Sequence, residues 1–168
     1  MSSKLSTTIS KIPTIPNPTN SSLITEFHTY MKTNDASERH QNNSLKVCIA
    51  FAFSIIKEDI TFYDIGKKDQ ILSFLDTKIK SQEQDPDRKW ITTWNHNLVH
   101  LKRFFRWLHN HHKHEQEGND IAESEWETPS FINIKKRKTK RLSRPFIKHK
   151  TVNYTCCIID KICNRSLL

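Results

Sequence analysis

Glycine is nearly missing from this chain: Gly66 and Gly118 are the only two in 168 residues. Phosphate-binding loops, dinucleotide-binding turns and tight β-hairpins use glycine for positive φ or for close approach of backbone to ligand. A chain with two is poorly equipped for all of them, and an all-α fold is favoured before any periodicity is considered. No run of about 18 apolar residues occurs, so no membrane-spanning helix is expected. The opening MSSKLSTTISKIPTIPNPTN has no continuous apolar stretch and does not read as a secretory leader. The four cysteines, Cys48, Cys156, Cys157 and Cys163, form no disulfide framework, because one stands alone and three crowd the C-terminal end. A reducing, cytoplasmic location is expected, with nucleoid association if the chain binds DNA.

Acid is scarce in two places. Residues 135–168 hold 11 Lys/Arg against one Asp/Glu, while residues 1–134 hold 16 against 17, so the net charge of +9 is made by the tail. Residues 88–114 contain six Lys/Arg and six His with no acid at all. A polyanion would therefore meet a local patch on the folded part and a diffuse attraction from the tail.

What is present is helical periodicity. In residues 90–110, WITTWNHNLVHLKRFFRWLHN, the apolar Ile91, Trp94, Leu98, Leu101, Phe105 and Leu108 recur at steps of three and four. That spacing lays them along one side of an α-helix and puts Thr92, His96, His100 and Arg103 on the other. One face can anchor a core while the opposite face offers donors and charge. An earlier helix is predicted from a cap among residues 20–22 to about Lys32, with Leu23, Ile24, Phe27, Tyr30 and Met31 inward. The next runs from near Ser37 to about Ile56 on Leu45, Cys48, Ile49, Ala52, Phe53 and Ile56. Its polar opening offers Arg39, His40, Gln41, Asn42 and Asn43 to a groove or to solvent. TFYDI at 61–65 is a connector with Asp64 as a cap, and a third helix covers about 67–81 with Ile71, Leu72, Phe74, Leu75 and Ile79 inward. Pro86 breaks the loop before residue 90.

The expected organisation is thus a four-helix bundle of residues 21–114 behind a flexible, Pro-rich arm of residues 1–20. A polar linker, 115–134, and a basic tail, 135–168, follow it. Trp126, Phe131 and Ile132 in the linker reach the bundle without building a second core. Trp107 is either a core residue at the bundle edge or an exposed contact.

No catalytic set assembles from these residues. His100 and Arg103 form a His-x-x-Arg pair of the kind that can hold a scissile phosphate, but no further cluster accompanies them, so they read as contacts. His109, His111, His112 and His114 lack a second ligand cluster and suit a helix C-terminus, where the macrodipole favours positive charge. No metal or cofactor is expected. The run Lys135, Lys136, Arg137, Lys138, Lys140 and Arg141 is the strongest electrostatic feature and fits phosphate contacts without sequence choice.

In order and spacing, ERHQNNSLKVCIAFAFSI, TFYDIGKKDQILSFLDTKIKS and KWITTWNHNLVHLKRFFRWLHN, followed by a linker ending PSFINIKKRKTKRL, resemble the N-terminal core-binding domain of tyrosine recombinases. This is the phage integrase family, with a SAM-like fold, and the archaeal members are the most similar. The resemblance covers about residues 20–142. It implies that the domain clamps double-stranded DNA through Arg39, His40, Asn43 and Lys46 on one helix and Thr92, Thr93, His96, His100 and Arg103 on the last. The basic run would follow the DNA backbone. In that family a catalytic domain comes next, yet only 26 residues follow Leu142 here. The resemblance therefore implies a truncated or frameshifted remnant that binds DNA, alone or with an intact recombinase, without recombining it. The alternative is a helical interaction module that pairs with a recombinase or another protein and does not touch DNA.

Overall fold

The computed structural model describes residues 4–56, 60–117 and 123–138, with the side chains of 112–117 outside that set. Lys140, Arg141, Tyr154, Cys156, Cys157 and Cys163 also lie outside the described residues. The fold is all-α. Five α-helices stand among the described residues: α1 Leu5–Ile9, α2 Pro18–Thr33, α3 Glu38–Ser54, α4 Lys68–Asp76 and α5 Trp90–Glu117. None is long and apolar enough to cross a membrane.

Helices α2, α3 and α4 all pack on α5, and α1 packs on α3. Trp94, Leu98, Leu101, Phe104, Phe105, Trp107 and Leu108 are all buried along α5. Aromatic side chains from three other elements meet this stripe. Phe27 of α2 lies edge-on to Phe104 at 5.2 Å, Phe51 of α3 edge-on to Phe105 at 5.8 Å, and Phe62 of the 61–65 connector edge-on to Phe104 at 4.9 Å. Edge-to-face pairs of this kind add to the free energy of burial because ring edge and ring face carry opposite partial charge. Trp107 is a core residue, 1% exposed and 5.1 Å from Phe27.

Residues 4–20 are not a free arm. Thr8 donates from its hydroxyl to Asn42 Oδ1 of α3 at 2.6 Å, and Ile12 and Ile15 are buried in the core. The prolines that suggested extended chain sit instead at helix starts, Pro13 in a 3-10 turn and Pro18 in the first turn of α2. There the missing N–H costs nothing and the fixed φ is already helical. The cap of α2 is Asn17, whose side chain accepts from Asn20 N–H at 3.1 Å, earlier than the expected 20–22. Asn20 is buried. Its amide donates to the Ile60 carbonyl and its oxygen accepts from Phe62 N–H, tying α2 to the connector.

Ser37 caps α3 and Asp64 accepts from both Thr61 N–H and Thr61 Oγ1, as the spacing predicts. Helix α4 ends at Asp76, five residues short of expectation. The Thr77 hydroxyl donates to the Phe74 carbonyl at 2.7 Å, a local bond that competes with helix continuation. Ile79, expected inward, is 42% exposed as a result.

The other departure is the segment 123–138, which is a strap and not a loose linker. It runs antiparallel to α5. Asn110 exchanges two hydrogen bonds with the Glu127 backbone, and Asn95 exchanges two with the Arg137 backbone. The two amides act as brackets about 22 Å apart along the helix. Between them Ile132 and Ile134 are buried in the core, and Phe131 lies edge-on to Phe105 at 5.3 Å.

Ile132 is completely buried, so Ile132→Ala should destabilise the fold by about 3 kcal/mol in urea denaturation. A loss well under 1 kcal/mol would show that the strap does not belong to the core.

Candidate nucleic-acid interface

With α2, α3 and the strap seated on it, α5 keeps one open arc. Thr92, Thr93, His96 and Val99 are exposed along its first half and Arg103 is half-buried. The strap borders this arc on one side and α3 on the other, where Arg39 and Lys46 are exposed and Asn43 and His40 are half-buried.

The seam between α3 and α5 joins four of the predicted contact residues into one network. Arg103 Nη1 donates to His40 Nε2 at 2.9 Å. An arginine has only donors, so His40 Nε2 is an acceptor and the ring is neutral with its proton on Nδ1. Ser44 Oγ lies 2.8 Å from His100 Nδ1 and 3.4 Å from His40 Nε2, and His100 Nε2 lies 3.1 Å from His96 Nε2. His100 is therefore not a surface contact. It is 5% exposed and is consumed by Ser44 and His96 between the two helices. Its position one turn from His96 would put it outside on an isolated helix, but α3 covers that flank of α5. Gln41 and Asn42 are likewise buried and spent, on His28, the Ala36 carbonyl and Thr8.

Burial, helped by His96, His40 and Arg103, pushes the His100 pKa down to about 4, and burial followed by Arg103 and His96 lowers that of His40. At neutral pH His40 and His100 are therefore neutral partners beside the Arg103 guanidinium.

The basic run divides. Arg137 is not free: its guanidinium lies over the rings of Trp90 and Trp94 at 5.3 and 4.9 Å and pairs with Asp76 at 2.9 Å. Asp76 Oδ1 also accepts from the Trp94 indole N–H at 3.0 Å. Arg137 thus pins the strap to the start of α5, beside the open arc. Lys135, Lys136 and Lys138 around it are exposed.

A second feature escapes the sequence altogether. Where the strap passes α2 and α5 there is a cavity of about 650 Å³, lined by Tyr30, Lys102, Arg103, Arg106, Trp126 and Asn133 among others. Arg106 holds its rim by donating to the carbonyls of Trp126 and Glu123. The Tyr30 hydroxyl is buried beside Glu123 and Arg103, with no hydrogen bond of ordinary geometry among the described residues, and burial followed by Glu123 pushes its pKa up to about 12. The cations Lys102, Arg103 and Arg106 are visible in the sequence as a row on one helix. The cavity is not, because it exists only once the strap folds back.

Among the described residues no group of three or more His, Cys, Asp or Glu is arranged to hold a metal ion. No family model, curated protein or solved structure matches this chain.

The seam has a pH signature. The folded pKa of His100 lies below that of the unfolded chain, so unfolded molecules bind more protons between about pH 6.5 and 4. Stability is full above that window and falls as pH drops through it, by on the order of 2 kcal/mol for this group. His100→Gln removes the titration, and its unfolding free energy should fall less than the wild type's between pH 7 and 4.5. Equal losses in both proteins would show that His100 is not held neutral by the fold.

Proposed function

We propose that this chain is a non-catalytic module that binds double-stranded DNA and is related to the core-binding domain of tyrosine recombinases. The observation that carries the reading is the open arc of α5, which is bordered by exposed Arg39 and Lys46 on α3 and by Lys135, Lys136 and Lys138 on the strap. Residues 88–114 contribute no acid to it. In this reading the lysines of the strap and Lys46 meet phosphates and fix register. Asn43, Thr92, Thr93 and His96 supply hydrogen-bonding groups that can face base edges or sugar–phosphate. His100 has an indirect role: through His96 and Ser44 it holds the rim of the seam, and Arg103 reaches outward from His40. An intact recombinase is the partner that the family resemblance suggests.

The chemistry of these residues supports binding more than reaction. Arg103 donates to His40, and His100 is buried together with the hydroxyl beside it, Ser44 Oγ, so this pair is enclosed between the helices and not open to a substrate. For the interaction-module alternative Trp107 offers no contact, because it is in the core, and the linker aromatics Trp126 and Phe131 are half-buried.

Counterion release gives the test. If Arg39, Lys46, Arg103, Lys135, Lys136 and Lys138 each neutralise a phosphate, the logarithm of affinity for duplex DNA should fall against the logarithm of salt with a slope of about −5. Replacing Lys135, Lys136 and Lys138 together by alanine should bring the slope up by about 3, and Arg103→Ala should weaken binding at all salts. Absence of duplex binding in a low-salt gel shift would refute the proposal. An unchanged slope in the triple variant would remove the strap from the interface.

A further inference from the structure

We propose that the cavity between α2, α5 and the strap is a binding site for a nucleoside phosphate, adjoining the surface that would face a duplex and sharing only Arg103 with it. Its volume, about 650 Å³, lies within the ~300–1,000 Å³ range of small-ligand sites. A recess of this size admits one nucleotide and not a double helix.

The lining selects for a phosphate. Lys102, Arg103 and Arg106 converge on the cavity from one helix, and Glu123 is the single acid that opposes them. Lys102 has no hydrogen-bond or ion-pair partner among the described residues. Arg103 gives Nη1 to His40 and has the Tyr30 hydroxyl beside it, which leaves further N–H groups of its five-donor fork for a ligand. Arg106 is different, because Nε and Nη2 are spent on strap carbonyls; it adds charge and keeps the rim in place. An arginine with free donors beside an unpaired lysine is the usual equipment for a phosphate monoester.

The lining also accommodates a planar ring. Trp126 is half-buried and lines the cavity, with its ring 5.5 Å from that of Tyr30 at an angle of 33°. The two aromatics make one wall, on which a base can stack. Thr128 and Asn133 stand on the same lining and offer polar groups to a base edge. Because the ring and the phosphate are recognised by different parts of the wall, a nucleotide should bind better than either piece. The occupant can be a free mononucleotide or the 5′-phosphorylated end of a strand, since both present the same chemistry.

Calorimetric titration of the full chain with adenosine 5′-monophosphate, adenosine and inorganic phosphate tests the site. The monophosphate should bind once per chain, and adenosine and phosphate should each bind about tenfold more weakly or less. Lys102→Gln should weaken the monophosphate about tenfold while leaving the melting temperature unchanged. Two single-stranded oligonucleotides, identical except for a 5′-phosphate or a 5′-hydroxyl, identify the source. Tighter binding of the phosphorylated one, in competition with the monophosphate, assigns the site to strand ends; equal binding without competition assigns it to the free nucleotide. No saturable binding of the monophosphate, phosphate alone binding as tightly as the nucleotide, or an unaffected Lys102→Gln variant would each overturn the proposal. Duplex affinity measured in parallel keeps this outcome separate from that of the duplex reading.

Discussion

Helix α5 buries most of its circumference, and the positions of the other elements follow from that demand. Its stripe of Trp94, Leu98, Leu101, Phe104, Phe105, Trp107 and Leu108 is wider than one partner helix can cover. Helix α2 takes the flank at Phe104 and Trp107, and α3 takes the flank at His100. Residues 123–138 return to close a third side, with Ile132 and Ile134. Only the arc at Thr92, His96, Val99 and Arg103 is left over. A chain of this size with 35% hydrophobic residues has little apolar surface to spare. The recruitment of residues 4–15 and the strap into the core is a physical consequence of that shortage.

Polar side chains do much of the fastening. Asn20 joins α2 to the connector, while Asn95 and Asn110 each clasp one backbone unit of the strap. A buried primary amide can donate and accept at once, so it replaces a missing backbone partner without leaving an unpaired group. Arg137 adds a cation held over two indoles and an ion pair with Asp76. The strap is thereby set in register with α5, and its lysines stand beside the open arc.

Helix type and order were readable from apolar spacing in α2, α3 and α5, and the caps Ser37 and Asp64 were readable from their positions. The arm and the linker were not. Pro13, Pro16 and Pro18 look like extended chain until two of them are seen to start helices, and Ile12 and Ile15 are too few to show a period. Ile132 and Ile134 are also a pair too short to announce a core element. His100 was misread as outward because a helical wheel does not show that a neighbour covers its flank, and Ser44 gives no signal of being that neighbour's contact. The residues on the rim, Arg39, Asn43, Lys46, Thr92, Thr93 and His96, kept the exposure or partial exposure that their sequence pattern implied.

These features support the proposal that α3, α5 and the strap form one continuous surface for duplex DNA. Amide chemical-shift perturbation during titration with a short duplex tests it residue by residue. The account predicts that the largest shifts fall at Asn43, Lys46, Thr92, His96, Val99, Lys135 and Lys136, with Leu5–Ile9 on the far side of α3 little affected. Shifts concentrated on α1 or α4, with the seam and strap silent, would contradict it.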